Sequence, residues 1–180
     1  DTPLGLADVF GRLWSRGSRG EVAWSLWESS GTPATTIEHP LDGVPFFDWE
    51  ALAIVPLEAA TGAFVFQADD GLYRFDPASS AATRFHAALR TSTGFDEAML
   101  GGRLFFFDEE PDGSCTLWGS FGTVASTARV KTWAAGNCVA SQLVVMRSRL
   151  YFAACNLSAG CELWASDGTD PGTVLVKDID

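Results

Sequence analysis

Residues 161–180 read CELWASDGTDPGTVLVKDID, and this stretch sets the pattern for the whole chain. A short apolar run ending in Leu163-Trp164 leads into a turn rich in Asp, Gly and Thr. The alternating β-branched run Thr173-Val-Leu-Val-Lys177 follows. Turn chemistry and period-two alternation together specify a hairpin of antiparallel strands.

The same pattern recurs upstream. Leu26-Trp27, Leu72-Tyr73, Leu117-Trp118 and Leu163-Trp164 are separated by 46, 45 and 46 residues. Nine residues past each aromatic, Thr36, Ala82, Thr127 and Thr173 open runs of extended character. Before each aromatic lies a second periodic feature: Gly11-Arg-Leu-Trp14, Gly62-Ala-Phe-Val-Phe66, Gly102-Arg-Leu-Phe-Phe-Phe107 and Ser148-Arg-Leu-Tyr-Phe152. Each follows an apolar segment through a tight turn, so every unit reads as four short strands. Sustained helical periodicity is missing, and the nearest candidate, residues 51–60, is interrupted by Pro56. Units of about 46 residues with four strands each predict an all-β chain, a four-bladed β-propeller with four antiparallel strands per blade. The blades are expected at 4–42, 46–86, 94–133 and 138–180 of a single domain. No strand crosses from the last unit to the first. Blades 1 and 4 therefore meet through side chains alone, or the four belong to a larger ring completed by another copy or by further sequence.

Composition narrows the function classes. Twelve Lys and Arg against 23 Asp and Glu give a net charge of −11, which repels nucleic acid and anionic lipid. No run approaches the roughly 18–20 apolar residues that cross a bilayer, so membrane insertion is not expected. The N-terminal Asp1-Thr-Pro-Leu4 is not a charged-then-apolar leader, as expected where an export signal has been removed or lies outside the sequence. Seven Trp and 13 Phe point to stacked aromatic surfaces. Of the four cysteines, Cys155 and Cys161 bracket the tip of an expected hairpin and suit a disulfide, which leaves Cys115 with Cys138. An oxidised, extracytoplasmic protein follows. A zinc site is the alternative, but neither pair has the short ligand spacing and both histidines lie far away.

Glu162-Leu-Trp-Ala-Ser-Asp-Gly-Thr169, continuing through Pro171-Gly-Thr-Val-Leu-Val-Lys-Asp-Ile179, resembles the ELWxxDGT repeat family of secreted and surface bacterial proteins. The match covers about 30 residues of the last unit, counting Arg149-Leu-Tyr-Phe152. It is partial in units 1 and 3 and thin in unit 2. The resemblance implies an exported, propeller-like protein and carries no activity.

Candidate sites fall on loops and aromatics. The loops joining second to third strands differ most between units, as expected where a scaffold carries its specificity. Arg16 and Arg19 form a basic lip suited to a carboxylate or sulfate. Asp108, Glu110 and Asp112, with Glu109, offer hard oxygen ligands for calcium, against the simpler reading of a solvated acidic turn. Asp8, Asp96 and Glu97 lie on or beside inner strands, where carboxylates facing a channel would suit a metal. Asp76 and Asp167 suit Asx turns. Trp14, Trp49 and Trp133 fall outside the repeated slot and are the candidates for exposed, sugar-stacking rings, while Trp27, Trp118 and Trp164 are expected in the core. Asn156-Leu-Ser158 formally fits a glycan acceptor. Only His39 and His86 can serve as imidazole bases, and neither is flanked by a nucleophile or carboxylate arrangement that repeats or stands out. The expectation is a non-enzymatic, secreted or cell-surface propeller without a required cofactor, recognising a protein or glycan through one loop face. A structural unit that assembles with copies of itself is the alternative, and a hydrolase using acidic loop residues a third.

Overall fold

The computed structural model describes residues 4–18, 24–46, 54–87, 96–134, 141–156 and 160–177. These residues form four antiparallel sheets of four strands, each sheet a blade with its strands in chain order. Blade 1 holds β1 (Leu4–Val9), β2 (Arg12–Ser18), β3 (Trp24–Ser29) and β4 (Ile37–Pro40). Blade 2 holds β5 (Ile54–Glu58), β6 (Ala63–Ala68), β7 (Gly71–Asp76) and β8 (Ala81–His86). Blade 3 holds β9 (Glu97–Leu100), β10 (Arg103–Glu109), β11 (Cys115–Ser120) and β12 (Ala128–Trp133). Blade 4 holds β13 (Ser141–Met146), β14 (Arg149–Asn156), β15 (Gly160–Ser166) and β16 (Val174–Lys177). Pro56, which argues against a helix, sits in edge strand β5, where a missing N–H is tolerated.

The blades group into two compact units, Asp1–Ala87 and Ala88–Asp180, each holding two sheets. Within a unit the packing follows from strand alternation: the Leu and the aromatic of each repeated dipeptide are adjacent on the third strand, so they point to opposite faces. Every blade therefore has a leucine face and an aromatic face. In the first unit, Trp14 and Leu26 on the leucine face of blade 1 pack against Phe64, Phe66, Tyr73 and Phe75 on the aromatic face of blade 2. In the second, Phe105, Phe107, Leu117, Val130 and Trp133 of blade 3 pack against Leu143, Leu150 and Phe152 of blade 4. Each such side chain contributes about 1.5–3 kcal/mol when fully buried.

The bulge that aims Val130 at this joint recurs in three blades. The outer strand carries one extra residue opposite Leu72/Tyr73, Leu117/Trp118 and Leu163/Trp164. Blade 1 pairs Leu26 with His39 and Trp27 with Glu38 without it.

The glycine-threonine element of the repeat builds the turn before the outer strand. Ser29, Ser120 and Ser166 each accept a hydrogen bond from the N–H of Gly31, Gly122 and Gly168, at 3.0, 2.9 and 3.0 Å. Each serine hydroxyl also bonds the threonine seven residues on: Thr36 at 2.9 Å, Thr127 at 2.7 Å and Thr173 at 2.7 Å. Those threonines donate to the carbonyls of Thr32, Thr123 and Thr169. Blade 2 lacks these residues and turns instead on the Asp76 carboxylate, which accepts the Ala78 N–H at 3.0 Å.

Gly31 and Gly168 both hold φ values favouring glycine, +98° and +91°, but their surroundings differ. A Cβ on Gly31 meets nothing within 4 Å, whereas one on Gly168 falls 2.7 Å from the Phe105 ring of the facing blade. Gly31→Ala should cost about 1 kcal/mol from backbone conformation alone. Gly168→Ala should cost about 2–4 kcal/mol because overpacking of the joint adds to that strain. Urea unfolding of the two variants checks the difference.

Candidate functional site

The loop-rim expectations meet the structure unevenly. Arg16 belongs to strand β2 and is only 2% exposed. Its guanidinium lies 4.5 Å from the Trp24 ring centre and 4.9 Å from that of Phe46. It is therefore packed against aromatics rather than presented to an anion in solvent, because alternation puts residue 16 on the leucine face beside Trp14. Trp133 is corrected in the same way. It ends β12 opposite Cys115, faces blade 4, and meets Phe152 and Trp164 edge-on at 5.6 and 5.3 Å. Trp14 is equally buried, 5.3 Å from the His39 ring. Conversely, Trp27, Trp118 and Trp164, expected in the core, are half-buried. Arg19, Trp49 and the Ser158 of the glycan motif lie outside the described residues.

The acidic candidates are engaged separately. Asp108 is buried in β10 opposite Thr116, and Glu110 pairs with Arg129 at 3.0 Å. Asp112 accepts the Ser114 N–H at 2.9 Å, and hydrogen bonding from Ser114 holds its carboxyl below the usual range. The three do not converge on a common point. Among the described residues no group of three His, Cys, Asp or Glu side chains is gathered for a metal. Asp167 forms the expected Asx turn, accepting the N–H and hydroxyl of Thr169 at 2.9 and 2.7 Å.

The inner-strand acids serve the backbone. Asp8 accepts the Gly11 N–H at 2.8 Å, and Asp96 accepts the Gln142 N–H at 2.9 Å, tying the entry of β9 to β13. Burial, with the Asp96 carboxylate next to it, pushes Glu97 up to about 7. The Cys155–Cys161 disulfide is present, between directly opposed residues of β14 and β15. Cys115 is also disulfide-bonded, while Cys138 lies outside the described residues.

One constellation has no precursor in the sequence spacing. Ser80 Oγ lies 2.7 Å from His39 Nδ1, and His39 Nε2 lies 3.3 Å from Glu28 Oε2, whose other oxygen takes Arg12 at 2.6 Å. A serine, an imidazole and a carboxylate in series have the composition of a hydrolytic triad. The repeat explains them otherwise. His39 sits opposite Leu26 and reaches the third-to-outer turn of blade 2; in the other unit Lys131 sits opposite Leu117 and reaches Asp170, in the same turn of blade 4, at 2.9 Å. Both are polar struts across a blade joint, built from one register position.

Some of the sheet faces outside these joints depart from a sealed core. Leu163 and Val176 of blade 4 occupy the slots of Leu117 and Val130 in blade 3. Yet Leu163 is 36% and Val176 48% exposed, against 0% and 6% for their counterparts. Val144 and Met146 extend the same exposed leucine face. On blade 1 the aromatic face is the open one: Leu13 occupies the slot of the buried Phe64 and Leu150 but is 44% exposed, with Leu6 exposed beside it.

No family model matches the chain, and no curated protein matches it. Among solved structures it is similar to TolB from Acinetobacter baumannii, with a TM-score of 0.54 and 11% identity over 99% of this chain and 44% of that one. The fold is a β-propeller. The chain thus spans less than half the length of that TolB chain. The tricorn protease aligns at a TM-score of 0.48 and 11% identity over 94% of this chain and 18% of its own. At these identities the likeness concerns the fold alone.

The raised Glu97 gives a pH signature. A carboxyl held at about 7 in the folded chain, above its ordinary 4.5, favours folding while protonated. That contribution is complete below about pH 4.5 and is lost as pH rises through about 7. Urea midpoints should fall between pH 5 and about 7.5 by a component that Glu97→Gln removes. An unchanged profile in the variant would contradict the assignment.

Proposed function

We propose that the chain is an extracytoplasmic, non-enzymatic β-propeller module that recognises a protein partner. Its binding surface is the exposed leucine face of blade 4 rather than the loop rim. The observation that carries this reading is the contrast between Leu163 and Val176, exposed, and Leu117 and Val130, buried in the same repeat slots. Contiguous exposed apolar side chains on a sheet face mark a surface that another surface covers. Burial of Arg16 and Trp133 removes two of the groups that a loop-face ligand site would use. The serine-histidine-glutamate series fits a non-enzymatic reading because its counterpart, Lys131 with Asp170, makes the same strut across a blade joint without a serine or a histidine. The Cys155–Cys161 disulfide supports an oxidising compartment.

Stability measurements separate a binding face from core. In dilute solution, Leu163→Glu should change unfolding free energy by less than about 0.5 kcal/mol, as at an ordinary surface position. Leu117→Glu should cost at least about 3 kcal/mol, because it buries a charge and leaves a void. Equal losses in the two variants would overturn the proposal. For the compartment, alkylation without reductant should modify none of the four cysteines, and four modified thiols would contradict an oxidised protein.

A further inference from the structure

The register of the repeat accounts for where His39 stands, but not for the residue types gathered around it. Ser80, His39, Glu28 and Arg12 all belong to the unit Asp1–Ala87, so the series is built within that unit. Three features exceed what a strut needs. Glu28 lies opposite Trp14, in the slot that holds Gly119 in blade 3 and Ala165 in blade 4, so the repeat does not call for a carboxylate there. It is nonetheless buried and held by Arg12 at 2.6 Å. Ser80 has a φ of +54°, in the left-handed region that disfavours a serine, and backbone strain of this kind collects at functional positions. The His39 ring is buried between Trp14 and Phe75, each 5.3 Å away, while Ser80 stands exposed on the turn between β7 and β8. A shielded base thus faces a serine that solvent can reach.

From this arrangement we infer that Ser80 is a site of covalent acylation, with His39 as its base, Glu28 as the positioning residue of that base, and activated esters as the acyl donors. When His39 Nε2–H donates to Glu28, Nδ1 is left as the acceptor of the Ser80 hydroxyl at 2.7 Å. In the reaction Ser80 Oγ bonds to the ester carbonyl carbon and the carbon's bond to the leaving oxygen breaks. The Ser80 proton passes to Nδ1 and from there to the leaving alcohol, so no further reagent is needed. The net charge of −11 disfavours anionic phosphoryl donors and leaves neutral esters as the class. Deacylation by water requires the same imidazole, and burial between Trp14 and Phe75 screens it, so the acyl group persists on Ser80. The inference goes beyond the proposed function: a retained acyl group is a modification, not turnover, and it involves blades 1 and 2 rather than the leucine face of blade 4.

The test is acetylation of the full chain by p-nitrophenyl acetate, followed by nitrophenolate release and by peptide mass spectrometry. One equivalent should be released in a burst, and the acetyl group should map to Ser80. The rate should exceed that of the same serine in the urea-unfolded chain by at least about 100-fold, the scale of general-base assistance. Ser80→Ala should abolish the burst. His39→Gln keeps an amide that can still hydrogen-bond Ser80, so it preserves a strut but not a base, and should slow labelling at least about 100-fold. Glu28→Gln, which leaves the imidazole in place, should slow it at least about 10-fold, with Glu28→Asp intermediate. Should His39→Gln lose its far-ultraviolet sheet signal, Glu28→Gln and the unfolded-chain comparison still decide. Labelling spread over other residues at the unfolded-chain rate would overturn the inference, as would a Ser80 that reacts at full rate in His39→Gln or Glu28→Gln. Release running far past one equivalent and lost in Ser80→Ala would overturn retention of the acyl group, and with it the non-enzymatic part of the proposed function. Partner recognition through blade 4 would be untouched by any of these results.

Discussion

The opposite orientation of neighbouring side chains on a strand is the constraint on which this protein depends. A Leu followed by Trp or Tyr on each third strand cannot bury both residues in one layer, so each blade needs cover on both sides. Within the units the requirement is met by Leu26 against blade 2 and by Leu117 against blade 4, both fully buried. The aromatic does a different job. Trp164 lies across the joint, its indole N–H donating to the Ala154 carbonyl at 3.2 Å and its ring edge-on to Trp133.

Polar groups near the joints are arranged around this packing. The Arg103 guanidinium, 5.1 Å from the Phe105 ring centre, donates to the carbonyls of Gly119 in its own blade and Gly168 in the next. Arg149, in the matching position of blade 4, folds back onto the Gly172 carbonyl of its own turn. The same residue type thus bridges blades in one place and closes on itself in the other. Arg12 makes a third choice, holding the Glu28 carboxylate that approaches His39.

Much of this architecture is legible in the residue order. The recurrent Leu-aromatic dipeptide locates all four third strands, and Thr36, Ala82, Thr127 and Thr173 mark where the outer strands begin. Asp76, Asp167 and the Cys155–Cys161 pair are local features, so turn chemistry and hairpin geometry suffice for them. The fates of Arg16 and Trp133 are not local. Each depends on which face a strand turns to its neighbour, and Trp133 follows a bulge that shifts the pairing of β12 by a residue. The Ser80, His39 and Glu28 series joins residues far apart in sequence and on two blades, so no spacing rule could have found it. A sequence signal for the open faces does exist: β16 reads Val-Leu-Val-Lys, with fewer charges than Ala-Arg-Val-Lys in the same stretch of blade 3.

The staple in blade 4 has a bearing on that last sheet. A short loop closed by Cys155 and Cys161 restricts the disordered chain by roughly 2 kcal/mol in the loop-entropy account. It sits in a blade whose leucine face lacks the cover that blade 3 enjoys. Covalent closure there offsets missing neighbour contact, so this sheet holds its shape while one side is exposed. An electron donor in the surrounding medium would release this staple, linking the integrity of the exposed face to the chemistry of the space around it.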